Sequence, residues 1–561
     1  MKKVLLTALV IAVIFIIIIG AFLFSMLFFV SFSGTSAIAS PSMYKNMAQV
    51  ATTTTGGASA ENIGLSTGGA KDINNFYKNI ENNYLPLPTD ITYEGLFYNY
   101  FFDTGETKEC TELFCPSYTY AISNDPISQQ KEYYISVGLN SGIKETDFHR
   151  KKLNLVIVLD NSGSMGEYFD KYYYDASGNR VEMDDPDIYL TKMKIAENSI
   201  VALLDHLEEG DRFGMVTFSD DASLIEPLKS AKLSDIERIK NKVLQINTEG
   251  STQMSAGMKM GTDQFKEFVN SNQTEYENRI IFLTDAMPNV GEIGQDTLLG
   301  MLKANADKKI YTTFIGIGVD FNTELVNYIT KIRGANYYSV HSPRQFKERM
   351  DEEFEYMVTP LVFNLLLKLD ATGYKIDKVY GSPEADESTG ELMKVNTLFP
   401  SKKEENQTKG GLVLLKLSKI SSTSSTLKLK VSYEDREGKV KTNEEEISIE
   451  GNEPEFFENT GIRKGILLTR YANLMKDWII DERRGYEQNK IRPFVDEESG
   501  IVIIDENNVK DWQRQSMKLK ISDYYKNIIR QFKAHFEKEM NAIDDNTLSQ
   551  ETAIMDKLIN L

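Results

Sequence analysis

The sequence predicts an α/β fold in which a doubly wound, mostly parallel β-sheet is followed by an added β-sandwich and C-terminal helices. Between residues 151 and 358, apolar runs of strand length alternate with segments of helical period, which is the pattern of a parallel sheet covered on both faces. Over residues 359–452, strand-like runs follow one another without helices. Over residues 453–561, apolar stripes of helical period return. A chain of 561 residues is long enough for several such domains.

The N-terminus predicts a membrane anchor at residues 1–33. Lys2 and Lys3 precede an uncharged apolar run from Val4 to about Phe32. A bilayer core needs about 20 such residues, whereas the core of a signal peptide has about 7–15. We therefore expect an uncleaved, single-pass helix in the cell membrane, with the bulk of the chain extracellular. The small-x-small pattern at residues 37–39 (AIA) also fits a signal-peptidase site, and cleavage there would export the chain as well.

The next two segments differ in composition. Residues 34–70 are rich in Ser, Thr, Ala and Gly, which is typical of a flexible linker. Residues 71–150 lack helical periodicity and are rich in aromatic residues, so we expect a β-rich segment that packs against the later β domain and contributes strands to it. The aromatic side chains are expected in a core rather than at a binding surface.

The chain has only two cysteines, Cys110 and Cys115. In an exported chain, an isolated near pair typically forms a local disulfide. A reactive dithiol is less consistent with the spacing, which is not C-x-x-C, and a zinc site would lack nearby histidine ligands.

The central domain, residues 151–358, contains the most informative motif. The sequence DNSGS follows the apolar run at residues 153–159, which predicts a buried parallel strand. Asp160, Ser162 and Ser164 would then leave the carboxyl end of that strand together, at the edge where ligands bind in open α/β sheets. Carboxylate and hydroxyl oxygens without His or Cys suit a hard divalent cation such as Mg²⁺. Alone, the motif is also consistent with a Ser/Gly-rich turn that caps a helix.

Two further loops carry oxygen donors. Thr252 precedes a helical pattern that begins near Ser255, and Asp285 follows a second buried-strand candidate at residues 279–284. With the first loop, they resemble the von Willebrand factor type A domain, whose metal-ion-dependent adhesion site has a D-x-S-x-S loop, a Thr loop and an Asp loop. The resemblance covers roughly residues 153–357 and implies a Rossmann-like sheet. It implies one set of metal ligands: Asp160, Ser162, Ser164, Thr252 and Asp285.

The resemblance also implies a mode of binding. The ion would be Mg²⁺, with Mn²⁺ or Ca²⁺ also possible, and one coordination position would accept a carboxylate of a protein ligand. Asn161, Gly163 and Met165 are expected to shape the first loop rather than to bind metal. A site that is intact but unused is the alternative interpretation. Residues 167–186, which follow the loop, are expected either to shape ligand access or to form a solvated hairpin around residues 176–179.

Other segments complete the organisation. Further strands are predicted at residues 213–218 and 309–317, and helices at residues 190–207, 235–245 and 322–332. Glu437-Gly438 marks a hairpin turn in the β-sandwich. The C-terminal helices are expected to pack on the body of the protein rather than on a partner, through two apolar stripes: Ile462, Ile466, Tyr471, Leu474 and Trp478, and then Ile521, Ile528, Phe532 and Phe536.

Composition and missing motifs narrow the function. The formal net charge of −19 argues against a nucleic-acid partner and against docking on an anionic membrane surface. The four histidines are scattered and no G-x-x-x-x-G-K-[ST] loop occurs, so we expect no enzyme, with a metal-assisted hydrolase as a distant alternative. We expect a membrane-anchored extracellular protein that binds acidic protein ligands through its cation. The main alternative is a membrane-tethered assembly component of an envelope protein complex. The layout resembles exported prokaryotic proteins with this domain and, loosely, inter-alpha-trypsin inhibitor heavy chains.

Overall fold

The computed structural model describes most of the chain after residue 61. The described residues are 62–167, 190–269, 273–285, 297–317, 328–329, 331–340, 343–371, 373–382, 392–420, 426–449, 455–487 and 517–561, with two-residue strands at 173–174, 180–181, 494–495 and 502–503. The predicted anchor at residues 1–33 lies outside them. Within these ranges, no helix has the length and apolar character needed to cross a membrane.

The strands form two large sheets and several small ones. In chain order the strands are β1 (Asn62–Thr67), β2 (Gly69–Ala70), β3 (Phe101–Asp103), β4 (Cys115–Asn124), β5 (Lys131–Lys144), β6 (Lys152–Asp160), β7 (Tyr173–Tyr174), β8 (Arg180–Val181), β9 (Arg212–Phe218), β10 (Ala222–Ser230), β11 (Tyr276–Thr284), β12 (Ile310–Ile317), β13 (Asn336–Val340), β14 (Val362–Ala371), β15 (Tyr374–Tyr380), β16 (Leu392–Ser401), β17 (Lys403–Glu404), β18 (Gln407–Lys409), β19 (Leu412–Lys419), β20 (Thr426–Glu434), β21 (Val440–Ser448), β22 (Phe456–Phe457), β23 (Phe494–Val495) and β24 (Val502–Ile503).

The α-helices lie mainly in the central and C-terminal parts of the chain. In chain order they are α1 (Asn74–Glu81), α2 (Tyr93–Tyr98), α3 (Lys192–Leu204), α4 (Leu233–Val243), α5 (Met254–Asp263), α6 (Leu298–Asp307), α7 (Pro343–Lys347), α8 (Phe354–Val358), α9 (Thr460–Glu487), α10 (Asp523–Ile543) and α11 (Ser549–Ile559).

The central sheet confirms the predicted α/β architecture. Its order is β10-β9-β6-β11-β12-β13-β2, and every neighbouring pair is parallel except β10 with β9. Side chains of β6 alternate between two cores: Leu155 and Ile157 pack on the side of α3 and α4, and Val156 and Val158 on the side of α5 and α6. Because both faces are covered, the strand is apolar without interruption from Leu155 to Leu159.

The structure contains most of the strands and helices that the sequence predicts for the central domain. Strands β6, β9, β11 and β12 and helices α3, α4 and α5 lie where the patterns predict them, whereas β10, β13 and α6 were not predicted. The helix predicted for residues 322–332 lies largely outside the described residues. In the stretch 167–186, β7 and β8 pair antiparallel, which supports a hairpin; a role in ligand access stays a prediction.

The second large sheet is antiparallel, as predicted for residues 359–452, but its strands form one hydrogen-bonded sheet, and a sandwich of two packed sheets stays a prediction. The sheet has ten strands, in the order β15-β19-β5-β1-β16-β14-β20-β21, with β4 paired to β5 and β22 paired to β4. Strands β4 and β5 come from residues 71–150, as expected. The predicted boundaries at residues 359–452 are nevertheless too narrow, because β1, β4, β5 and β22 belong to the same hydrogen-bonded sheet and all but the short β22 precede the central domain in the chain.

The linker prediction is wrong for residues 62–70. This segment is largely buried and forms β1, between β5 and β16, and β2, beside β13. Its small residues reflect close packing, since a Cβ atom added at Gly64 would lie 2.0 Å from Cγ2 of Thr408. Strands β1 and β2 therefore connect the two large sheets within nine residues.

Residues 71–150 contain strands, as predicted, and also two short helices that no periodicity in the sequence indicated. Helices α1 and α2 have only 8 and 6 residues, too few turns to produce a clear periodicity. The predicted core role of the aromatic residues is confirmed, since Phe97 and Phe102 are buried in one core with Trp478 of α9 and Phe536 of α10. That shared core also confirms that the C-terminal helices pack on the body of the protein.

Two local features complete this region. Cys110 and Cys115 form the predicted disulfide. In α11, the fully buried carboxylate of Glu551 accepts hydrogen bonds from the hydroxyls of Tyr77 and Tyr100, the latter at 2.6 Å. Burial raises the pKa of Glu551, against the effect of the tyrosine hydrogen bonds.

Candidate metal centre

The site begins where β6 and β11 end. Their parallel register pairs Leu159 with Leu283, so Asp160 and Thr284 leave the sheet side by side. The Thr284 hydroxyl donates to Oδ2 of Asp160 at 2.6 Å, and the backbone N–H of Ser162 donates to Oδ1 at 2.8 Å. Asp160 and Thr284 are both fully buried. The carboxylate at the base of the site is therefore fixed by two donors.

A chain of contacts connects four of the five predicted ligands. Residues Gly163–Gly166 form a 3₁₀ turn, which brings the hydroxyl oxygens of Ser162 and Ser164 to 3.1 Å from each other. The Ser164 hydroxyl then donates to Oδ1 of Asp285 at 2.8 Å. Asp160, Ser162, Ser164 and Asp285 thus converge on one point at the carboxyl edge of the sheet.

Thr252 lies in the neighbouring loop, directly before α5. The backbone N–H of Gly163 donates to the carbonyl of Gly250 at 3.1 Å, and that of Gln253 to the carbonyl of Ser219 at 2.8 Å. Thr252 itself is half-buried. Among the hydrogen bonds between described residues, none joins its hydroxyl to the other four. The structure therefore brings its loop to the site, and its contribution to metal binding stays a prediction.

The loop of Thr252 requires glycine at position 250. Gly250 has a φ of +67° in the left-handed region, and a Cβ atom there would lie 2.5 Å from Oδ2 of Asp220. The other carboxylate oxygen of Asp220 accepts from the backbone N–H of Ser251 at 2.9 Å and also from its hydroxyl. Asp220, at the end of β9, thus supports the loop from its exposed side.

Asn161 and Met165 have the loop-shaping role that the sequence predicts. The backbone N–H of Asn161 donates to the carbonyl of Phe218 at 2.9 Å, and its side-chain amide donates to the carbonyl of Asn247 at 3.0 Å. Met165 is fully buried in the core beneath the loop. The first loop is therefore held between the sheet and the loops that follow β9 and α4.

A lysine lies among the acidic groups. Lys192, the first residue of α3, donates from Nζ to Oδ2 of Asp285 at 2.7 Å, and the two side chains are 6% and 1% exposed. Burial, and next the negative charge of Asp285, raise the pKa of Asp160 to about 7, against the hydrogen bonds from Thr284 and Ser162. Of the two buried carboxylates, Asp285 therefore has an ammonium partner.

The donor set fits a hard divalent cation. Within the described ranges, no group of three or more His, Cys, Asp or Glu side chains could hold a metal ion. The linked side chains here comprise two carboxylates and two hydroxyls, with a third hydroxyl on Thr252 in the neighbouring loop, whose Gly250 contacts Gly163. An ion at this position would therefore depend on hydroxyl oxygens, which suit Mg²⁺ and Mn²⁺ better than softer metals.

Thr284 and Lys192 were not predicted as site residues. The sequence does carry a signal for Thr284, because it is the last residue of an apolar run and directly precedes Asp285. Lys192 follows the first loop by 28 residues and carries no comparable signal.

Comparison with known families matches residues 154–352 to the von Willebrand factor type A domain. One curated relative is inter-alpha-trypsin inhibitor heavy chain H4 of Homo sapiens, which is 21% identical over 43% of this chain and 23% of the relative. Another is an uncharacterized protein of Synechocystis, which is 24% identical over 36% of this chain and 42% of the relative. The matches thus span less than half of either relative. Among solved structures, a von Willebrand factor type A protein from Catenulispora acidiphila matches with a TM-score of 0.36 and 14% identity, over 62% of this chain and 75% of that one.

Proposed function

Since residues 154–352 form a von Willebrand factor type A domain, a domain that generally binds proteins rather than catalysing reactions, we propose a specific binding function. The protein is a membrane-anchored extracellular binding protein that engages acidic groups of protein ligands through a divalent cation, which we expect to be Mg²⁺. One set of residues holds the ion: Asp160, Ser162, Ser164, Thr252 and Asp285.

The observation that supports this proposal best is the hydrogen bond between two separate loops. The Ser164 hydroxyl of the first loop lies 2.8 Å from Asp285 of the third, although 120 residues separate them in the chain. Ser162 and Ser164 carry neutral oxygens, so within the described parts of these loops the acidic side chains joined by this chain of contacts are Asp160 and Asp285. When bound, the ion supplies a positive centre that attracts a carboxylate of a partner. Asp160 and Asp285 together balance the two charges of the ion and the hydroxyl ligands add no further negative charge, so the ion can still accept a carboxylate of a partner.

The proposed location is supported by the N-terminal half of the chain. The uncharged run from Val4 to about Phe32 is long enough to span a bilayer. The disulfide between Cys110 and Cys115 is typical of an oxidising compartment.

Asp160→Asn tests the metal site. The amide oxygen can still accept from the Ser162 N–H, so the loop should fold, while the charge at the base of the site is lost. We expect Mg²⁺ affinity to fall by about 100-fold or more, measured by isothermal titration calorimetry on the full-length protein in detergent. Asp221→Asn, on the exposed side of the same edge, is the control and should bind like the wild type. Unchanged affinity in Asp160→Asn, or a wild type that binds no Mg²⁺, would overturn the proposal.

Ligand capture tests the function of the site. Immobilised full-length protein should retain synthetic acidic peptides in Mg²⁺ and release them in chelator, and Asp160→Asn should retain none. Peptides with Gln and Asn in place of Glu and Asp are the matched controls. If the amount of retained peptide is the same with and without chelator and the same for acidic and neutral peptides, carboxylate capture is refuted. Co-purification of membrane proteins that persists in chelator would favour the alternative, a membrane-tethered assembly component.

A further inference from the structure

One cation of the chain is already present at the candidate metal centre. The Lys192 ammonium lies 2.7 Å from Oδ2 of Asp285, while the Ser164 hydroxyl occupies Oδ1 at 2.8 Å. Both oxygens of this carboxylate therefore have a partner, and one partner carries a full positive charge. Because the Lys192 and Asp285 side chains are almost completely buried, water screens this charge poorly.

We propose that Lys192 is a built-in counter-cation that sets how tightly this centre holds its divalent ion; this inference rests on the proposed function. The Lys192 ammonium offsets one of the two negative charges that Asp160 and Asp285 carry when both are ionised to bind a divalent ion. A divalent ion is therefore attracted less strongly and must share Asp285 with the ammonium. Once it is bound, the same ammonium leaves the centre with a net positive charge, which favours an acidic ligand.

A purely positioning role for Lys192 makes the opposite prediction. If the ammonium only holds Asp285 in place through its hydrogen bond, its removal should weaken metal binding, as loss of a supporting hydrogen bond usually does. If its charge competes with the ion, its removal should strengthen metal binding. The sign of the change in Mg²⁺ affinity separates the two roles.

The test uses two substitutions that remove the charge. Lys192→Met keeps the approximate length and the apolar part of the side chain. Lys192→Gln keeps an uncharged N–H donor on the side of Asp285. On the full-length protein in detergent, titrated with Mg²⁺ alone at fixed pH and ionic strength, we expect both variants to bind about tenfold more tightly or better. Lys192→Arg, which retains the charge, should stay within about threefold of the wild type.

Lys194→Met is the matched control. Lys194 lies on the same helix, is 44% exposed and pairs with Glu197, so its loss should change Mg²⁺ affinity by less than about twofold. Thermal unfolding gives a second readout: without Mg²⁺ the Lys192→Met variant should melt below the wild type, because Asp285 loses its partner, and it should show the larger rise on addition of Mg²⁺.

Two results are decisive against the inference. Equal or weaker Mg²⁺ binding in Lys192→Met and Lys192→Gln, with a wild type that does bind, overturns the inference alone and leaves the proposed function standing. A wild type that binds no Mg²⁺ overturns both.

Discussion

Thr284→Val is the sharpest test of how Asp160 is held. The Thr284 hydroxyl donates to Oδ2 of Asp160 at 2.6 Å, and both residues are fully buried. Valine has nearly the same shape as threonine, so the substitution removes the donor without creating a cavity. The backbone N–H of Ser162 then remains as a donor to this carboxylate.

Two independent estimates of the effect agree. A hydrogen bond to a charged group contributes about 1.5–3 kcal/mol. Loss of a group that orients a metal ligand lowers metal affinity by about 10–100-fold, which is about 1.4–2.7 kcal/mol. We therefore expect Mg²⁺ affinity to fall by about 10–100-fold in Thr284→Val, measured by isothermal titration calorimetry on the full-length protein.

Thr312→Val is the matched control on the next strand, β12. Thr312 is also buried, and among the described residues its hydroxyl has no hydrogen-bond partner. Its replacement should leave Mg²⁺ affinity unchanged and stability equal or slightly higher, because an unpaired polar group is removed from the interior. Wild-type affinity in Thr284→Val would refute the reasoning, as would an equal loss in both variants, which would indicate a general effect on the sheet.

Two further predictions concern stability. Arg150→Gln breaks a bidentate pair with Asp211, whose atoms lie 3.0 and 2.7 Å apart and whose side chains are 1% and 0% exposed, so it should cost about 3–5 kcal/mol in urea unfolding. Arg238→Gln breaks a similar pair with Glu226, but Arg238 is 43% exposed, so the loss of stability should be clearly smaller than in Arg150→Gln; equal losses would contradict the role of burial. Because burial raises the pKa of Glu551 above its usual 4.5, the folded state should lose stability as the pH rises from 4.5 through the raised value. Glu551→Gln should remove that loss, and parallel melting-temperature profiles against pH would contradict it.

The apolar strand pattern alone locates only the parts of the site at the ends of strands. Strands β6 and β11 are buried on both faces and end in side chains with oxygen donors, so the sequence pattern locates Asp160 and Asp285 at one sheet edge. The position of Thr252 depends instead on backbone hydrogen bonds, such as that from Gly163 to Gly250. Because backbone groups of almost any residue can form such bonds, these contacts cannot be predicted from composition or residue spacing.

The errors in the fold have a similar physical origin. A segment rich in small residues is typical of a flexible linker, but in β1 position 64 needs glycine because Thr408 lies so close to it. Sequence composition cannot separate these two causes without knowledge of the neighbouring strand. The short helices α1 and α2 were missed because their burial comes from tertiary contacts with α9, not from a periodicity of their own.

The net charge of the metal centre cannot be predicted from the motif alone. The motif names the oxygens that could contact an ion, yet the strength of ion binding depends on every charge within a few ångströms. In this centre one of these charges is the ammonium of Lys192, which contacts Asp285. Lys192 can reach Asp285 only because α3 begins beside the first loop, where the backbone N–H of Lys192 donates to the carbonyl of Glu167 at 2.9 Å. Two chains with the same five ligands could therefore differ in metal affinity according to whether a cation begins this helix. In the present chain, a substitution that removes the charge at position 192 should therefore change Mg²⁺ affinity more than a substitution of Asn161 or Gly163 within the motif.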